Sequence, residues 1–378
     1  MGKQGRIGIY FNFGSNWLGG VYYLINLVNA FNSRVAEGAP LPTFIIFFTS
    51  QSESFLKLFT YPNIEFIRIP DQNLYRSYLL SWVKRENVFL PKQLLESNLD
   101  VLYPLYDFPV RTKVDFQLIS WYPDLQHRFY PQYFGWLRWR LREFRLKLLL
   151  RRTDKLVCSS EDVLSHFQQF YADILPATSV LPFVSLVDVD GLPAEEDVRA
   201  RYQLTGKYFI VSNQFYEHKD HLTVVRAIIQ LKKSKEEFQI IMTGKMPATR
   251  KGYVGKLHDL LEANNLEDRV RFLGVIPRND QLALLKYALS VVQPSKFEGW
   301  STVVEDVKAI RGSILASDIK IHKEQLGDQG LLFEAGNYLD LAAKMLELLT
   351  AQSTGRTSFN YDQHVIEFTR KFEKLSLG

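Results

Sequence analysis

Cysteine is almost missing from this chain. Cys158 is the single cysteine in 378 residues, so no disulfide can form within it, and a reducing compartment is the expected setting. Long apolar runs are missing too. No stretch approaches the roughly 20 apolar residues of a membrane span. The first apolar run, Ile7 to Phe11, is too short for a signal-peptide core and is broken by Asn12 and Gly14. Excess charge is slight: 46 basic against 41 acidic residues leave +5, which by itself gives no reason to expect a nucleic-acid partner. There are no internal repeats and no low-complexity tracts. These features predict a soluble, cytoplasmic protein, with peripheral contact at the inner face of a membrane left open.

What is present is core. The chain is 46% hydrophobic and 14% aromatic, and its length favours two domains. Apolar runs fall at 6–11, 43–49, 64–69, 101–105, 116–122 and 155–160, then at 207–213, 238–244, 269–274, 289–295 and 313–318. They are continuous rather than alternating, as in strands covered on both faces, and most precede a helical pattern. This predicts an α/β protein with two doubly wound, Rossmann-like domains. The break lies in LPFVSLVDVDGLP, giving domains at 1–188 and 189–360, and a final helical pattern spans 361–377. In such sheets ligands bind beyond the carboxyl ends of the strands, so a cleft between the two domains is the expected site.

Five stretches carry chemistry. In PSKFEGWSTVVEDVKA (294–309), Glu298 and Gly299 lie in the loop after a strand, and Glu305 and Asp306 follow as a helix starts. Thr302 and Glu305 fit a capping box, and acids near a helix start also favour the helix dipole. Equally, carboxylates hold sugar hydroxyls, and free amides at a helix start hold phosphate. In VSNQFYEHKDHLTVVRA (211–227), Lys219 precedes a helix near Asp220, the arrangement of an anion site or of an ordinary solvated loop. His218 and His221 have no third ligand nearby, which argues against metal. In FNFGSNWLGGVYYL (11–24), Gly19 and Gly20 open a helix; GSNWLGG departs from the G-x-G-x-x-G dinucleotide pattern, which argues against a nicotinamide enzyme. Two glycines there can serve a turn or the approach of a ligand. In ISWYPDLQHRFYPQYF (119–134), Asp124 and His127 lie in a turn after a strand. In WLRWRLREFRLKLLLRR (136–152), seven basic residues accompany one acid, Glu143, and Leu137, Leu141, Phe144 and Leu148 form a stripe. That stripe suits a core-facing helix with solvated arginines, or one lying on an anionic membrane.

The stretch 293–337 resembles the signature of retaining GT-B glycosyltransferases of the family 4 (group 1) type, with PS-x-x-EG, an acid eight residues after the first, then ASD and E-x-x-G. The resemblance implies two Rossmann-like domains facing a central cleft, with the 361–377 helix packing back on the first. It implies that Glu298 binds donor-sugar hydroxyls, that Gly299, Trp300, Ser301 and Thr302 meet the sugar or diphosphate, and that Asp306 holds the ribose. The family usually has glutamate at that last position; with the shorter Asp306, either the ribose sits deeper or Glu305 makes the contact. Lys219 matches the family's diphosphate lysine, while Gln214, beside Asn213, stands where an arginine is usual. Gln214 donates more weakly, and His218 or His221 could replace the missing charge only if protonated. Val275 falls in the segment that meets the nucleobase, and MTGKM (242–246) resembles the preceding glycine turn. Gly19 and Gly20 match the glycine loop, His127 matches a histidine facing the sugar, and Asp124 and Trp17 fall on the acceptor side. Glu298, His127 and Lys219 are thus the expected catalytic groups. The implied reaction moves a sugar from a nucleotide sugar to a glycan or lipid-linked glycan with retention, without metal or other cofactor. GDP-mannose is the first donor to consider and a UDP-sugar the next. VDVDG (187–191) has the letters of a metal clamp but reads as linker. A UDP-sugar epimerase of GT-B fold and a non-catalytic sugar-nucleotide-binding subunit are the rival readings.

Overall fold

The apolar runs become parallel strands. The computed structural model describes residues 5–14, 17–38, 40–234, 236–246, 252–351 and 359–378. One sheet contains β1 (Arg6–Phe11), β2 (Thr43–Phe48), β3 (Ile64–Arg68), β4 (Val101–Leu105), β5 (Gln117–Tyr122), β6 (Lys155–Cys158) and β7 (Ala177–Val180), in the order β3-β2-β1-β4-β5-β6-β7. A second contains β8 (Lys207–Ser212), β9 (Phe238–Thr243), β10 (Val270–Gly274), β11 (Ser290–Gln293), β12 (Ile314–Ser317) and β13 (Leu331–Phe333), in the order β10-β9-β8-β11-β12-β13. All strand pairs are parallel. The sequence pattern does not reveal β7 or β13. Both are short edge strands, and an edge that is covered less completely needs no continuous apolar run.

The principal helices are α1 (Leu18–Ala30), α2 (Leu74–Lys84), α3 (Trp136–Leu150), α4 (His221–Leu231), α5 (Arg278–Tyr287), α6 (Thr302–Ala309), α7 (Lys320–Leu326) and α8 (Tyr361–Leu377). The chain divides into Met1–Val184 with Asp362–Gly378, and Ser185–Tyr361. The first unit takes α8 because its apolar face is buried there. Phe372 is fully buried against Phe31, Phe44 and Tyr103, its ring centroid 5.1 Å from that of Tyr103. Burying such a ring contributes about 2–3 kcal/mol. Arg34 pairs with Glu373 at 2.5 Å, and Lys155 donates to the Leu375 carbonyl at 2.7 Å.

Helix α3 does not turn its apolar stripe to the core. Leu137, Leu141 and Phe144 are each at least half exposed, and the buried face is Glu143, Leu146, Leu149 and Leu150. Of the two roles open to the stripe, the core-facing one is corrected. Among the described residues no helix is long and apolar enough to cross a membrane.

Strand order reverses between β1 and β4 in the first unit and between β8 and β11 in the second. Helices on either side of such a point cover opposite faces of the sheet. A crevice opens there, at the carboxyl ends of the strands.

Candidate nucleotide-sugar site

In the second unit the chemistry gathers at that crevice. Asn213 follows β8 and Gln293 ends β11. The Asn213 amide donates to Gln293 Oε1 at 2.7 Å, joining the two strands across the reversal. Gln293 Nε2 in turn lies 3.0 Å from Glu298 Oε1 and 3.1 Å from Ser301 Oγ. Lys219 Nζ completes the set, 2.6 Å from Glu298 Oε1. The Glu298 side chain is 8% exposed and that of Lys219 18%. Asp220 brings the two loops together. It adopts φ +51° at the start of α4, accepts from Thr223 Oγ1 at 2.6 Å and pairs with Lys296 at 2.9 Å. The Lys296 amide donates to the His218 carbonyl at 2.8 Å.

Burial pushes the Glu298 carboxyl up, but the charge and hydrogen bond of Lys219 outweigh it and leave it below its ordinary range. Nearby histidines go the other way. Burial lowers His218 to about 4, His221 to about 3 and His322, on α7, to about 4. All three are neutral at pH 7, so neither His218 nor His221 replaces the charge that Gln214 lacks. Gln214 itself is exposed. Gly244, in the turn after β9, is held at φ +139°, where a Cβ would lie 2.1 Å from the Asn213 carbonyl oxygen. Glycine is needed there because the β9 turn rests on the Asn213–Gln214 backbone. Val275 is exposed in the loop after β10, while Gly299, Trp300 and Ser301 are buried.

The acid pair departs from expectation. Ser301, not Thr302, caps α6, accepting from the Val304 amide at 3.4 Å; Thr302 is exposed, and Glu305 takes no part in a box with it. Glu305 is buried and accepts from Lys308 at 3.0 Å, Gln325 at 3.1 Å and Tyr361 at 2.8 Å. Asp306 is 2% exposed. It accepts from Arg278 Nη1 at 2.7 Å, Arg278 Nη2 at 2.5 Å and Ser185 Oγ at 2.5 Å. Ser185 also donates its amide to Tyr361 Oη at 2.7 Å. These are the first and last residues of the second unit, so both ends of that segment are tied to the acid pair. Arg278 escaped sequence reasoning; the only signal is a basic residue just after Pro277, at a helix start.

Residues 195–372 match the family model of glycosyl transferases group 1. That match covers just under half of the chain, in the second unit and most of α8. A lipopolysaccharide core biosynthesis mannosyltransferase of Rhizobium leguminosarum bv. viciae is 26% identical over 194 residues, covering 50% of this chain and 53% of that protein. The match therefore spans about half the length of that curated relative. Among solved structures, sucrose-phosphate synthase from Thermosynechococcus elongatus aligns with TM-score 0.68 at 17% identity over 99% of this chain and 98% of that one. Anabaena HepE, in complex with UDP and glucose, gives TM-score 0.68 at 16% identity over 99% and 100%. These likenesses make the fold GT-B.

In the first unit, Gly20 of the glycine loop packs against Trp17. A Cβ on Gly20 would meet the Trp17 indole at 2.7 Å, so Gly20 makes room for Trp17; Gly19 is exposed. Ser15 and Asn16 of that loop lie outside the described residues. Trp17 stacks on Trp121 at 5.6 Å and lines a cavity of about 200 Å³ with Tyr10, Phe13, Leu74, Tyr106 and Phe108. Asp124 accepts from the Gln126 amide at 2.9 Å. His127 is fully buried, its Nε2 bonded to Glu143 of α3 at 2.7 Å. Glu143 also takes Arg128 at 2.5 Å and Tyr171 at 2.6 Å. Burial keeps the His127 ring neutral, and as placed it can reach a sugar only if its neighbours move.

Proposed function

We propose that the protein transfers a hexose from a nucleotide-diphosphate sugar to a glycan or lipid-linked glycan acceptor, with retention and without a metal ion. The observation that carries this reading is the Lys219–Glu298 pair at the strand-order reversal of the second sheet. A lysine and a carboxylate there suit the two halves of a nucleotide sugar. Lys219 and the amides around Gly299 would take the diphosphate, and Glu298 the sugar hydroxyls. The sugar C1–O bond to the leaving phosphate breaks as the acceptor oxygen bonds C1 on the same face. The acceptor proton passes to the departing phosphate oxygen, whose charge Lys219 offsets. The mannosyltransferase relative makes GDP-mannose the first donor to try, and the UDP-bound neighbour makes UDP-glucose the second.

On the acceptor side, the apolar cavity beside Trp17 suits an apolar or ring-shaped portion of the acceptor. Exposed Leu137, Leu141 and Phe144 on α3 lie among arginines. Tyr75, Leu79 and Val83 are exposed on α2, and Arg145 bridges the helices by stacking on Tyr75 at 5.2 Å. An apolar face with cations around it fits an anionic membrane, where a lipid-linked acceptor would be met.

The test is calorimetric binding and turnover with GDP-mannose, UDP-glucose and their nucleoside diphosphates, in chelator. Binding and acceptor-dependent sugar transfer are expected, abolished in Glu298→Ala. Epimerised sugar without acceptor would replace the reading by an epimerase, and binding without turnover would replace it by a nucleotide-binding subunit.

A further inference from the structure

Asp306 is a poor open acceptor. Its carboxylate is buried and already receives three hydrogen bonds, two of them from one guanidinium. Arg278 is the partner that reaches outward: its side chain is 27% exposed. It is the first residue of α5, directly after the loop that leaves the carboxyl end of β10. Its Nη1 also lies 3.1 Å from Gln281 Oε1, Gln281 Nε2 donates to Ser212 Oγ at 2.6 Å, and Thr243 Oγ1 donates to Ser212 Oγ at 2.9 Å. That chain ties the guanidinium to the ends of β8 and β9.

We propose that Arg278 is the side chain that contacts the donor's ribose, and that Asp306 is a positioning residue that aims it. The proposal rests on the nucleotide-sugar reading above. A guanidinium clamped on a carboxylate holds its remaining N–H donors in a fixed plane. Such donors suit the oxygens of a cis-diol, which accept from them. A buried ion pair is weak as a stabilising device, so its value here is in fixing the fork.

The experiment measures the affinity ratio of a ribonucleoside diphosphate to its 2′-deoxy form. The probe is whichever of UDP, GDP and ADP binds the unmodified protein most tightly. Losing a paired hydroxyl should cost it about tenfold. In Arg278→Gln and Arg278→Lys the ratio should fall to near one. The penalty of each variant should also be the same for the monophosphate and the diphosphate. Lysine keeps a charge opposite Asp306, so Arg278→Lys guards against a folding defect, which thermal unfolding of both variants checks. If Arg278→Lys keeps the full ratio, Arg278 only props up Asp306 and the proposal is overturned. A penalty that grows with phosphate number would overturn the ribose assignment. If none of the three diphosphates binds the unmodified protein, the nucleotide-sugar reading fails and takes this proposal with it.

Discussion

Replacing Lys219 with Met tests the site at its centre. The substitution keeps the length of the side chain and removes its charge, leaving Glu298 as a nearly buried carboxylate. Breaking a buried pair from one side costs about 3–5 kcal/mol. Two features of this site reduce that. The Lys219 side chain is 18% exposed, so part of its interaction is screened, and the Gln293 amide still donates to Glu298 at 3.0 Å. We expect a loss of about 2 kcal/mol at pH 7.5. The sign of the pH dependence follows from Glu298. Its carboxyl is held below the ordinary range in the native protein, so its contribution is present above the unfolded pKa and is lost as pH falls through the folded one. Without Lys219, burial pushes the same carboxyl up, and the variant is penalised most where Glu298 must stay ionised. The difference between the two proteins should therefore shrink on going to pH 5. Guanidinium denaturation of both proteins at the two pH values measures it. A loss below about 0.5 kcal/mol, or one of equal size at both pH values, would refute the assignment of Lys219–Glu298 as a buried, coupled pair.

Three further outcomes are expected. His218, His221 and His322 have folded pKa values below the unfolded value near 6.5, so their neutral forms contribute stability that is full above about pH 6.5 and is lost as pH falls toward 4. On His218 and His322 the neighbours Lys219 and Glu298 act in opposite senses, while Lys219 and His218 both lower His221. Proton uptake on unfolding at pH 5, from the pH dependence of denaturation, should approach three from these groups and drop by about one in His221→Phe. Gly244→Ala places a methyl against the Asn213 carbonyl at positive φ, so it should destabilise by at least about 2 kcal/mol and weaken nucleotide binding together with it; thermal unfolding and calorimetry would report both. Replacing Leu137, Leu141 and Phe144 together by Gln should leave thermal stability nearly unchanged, because all three are exposed, and reduce sedimentation with anionic phosphatidylglycerol vesicles at least about tenfold.

Much of this molecule is local. Continuous apolar runs between helical patterns are enough for two parallel sheets, because a strand covered on both faces must be apolar throughout. Positions such as Lys219, Glu298 and Gln293 follow from chain order alone, since each lies just past or at the end of a parallel strand, where side chains emerge toward the crevice. The resemblance gives Lys219 and Glu298 named roles, whereas Gln293 has none in it.

Pairing is another matter. Nothing local distinguishes the stripe Leu137–Leu141–Phe144 from a core face; only the burial of Glu143 with Leu146 and Leu149 on the opposite side of α3 decides it. His127 and Glu143 lie 16 residues apart, Ser185 and Asp306 121 apart, and Arg278 and Asp306 28 apart. Such contacts exist because separate loops and helices meet over the ends of a sheet, and no periodicity records which partner arrives. An exposed carboxylate and a buried one clamped by arginine have the same letters around them. Strand placement and the order of the chemical groups can thus be read along the chain, whereas the charge state of each histidine and the partner of each acid come from burial, which only the packed sheet and its helices supply.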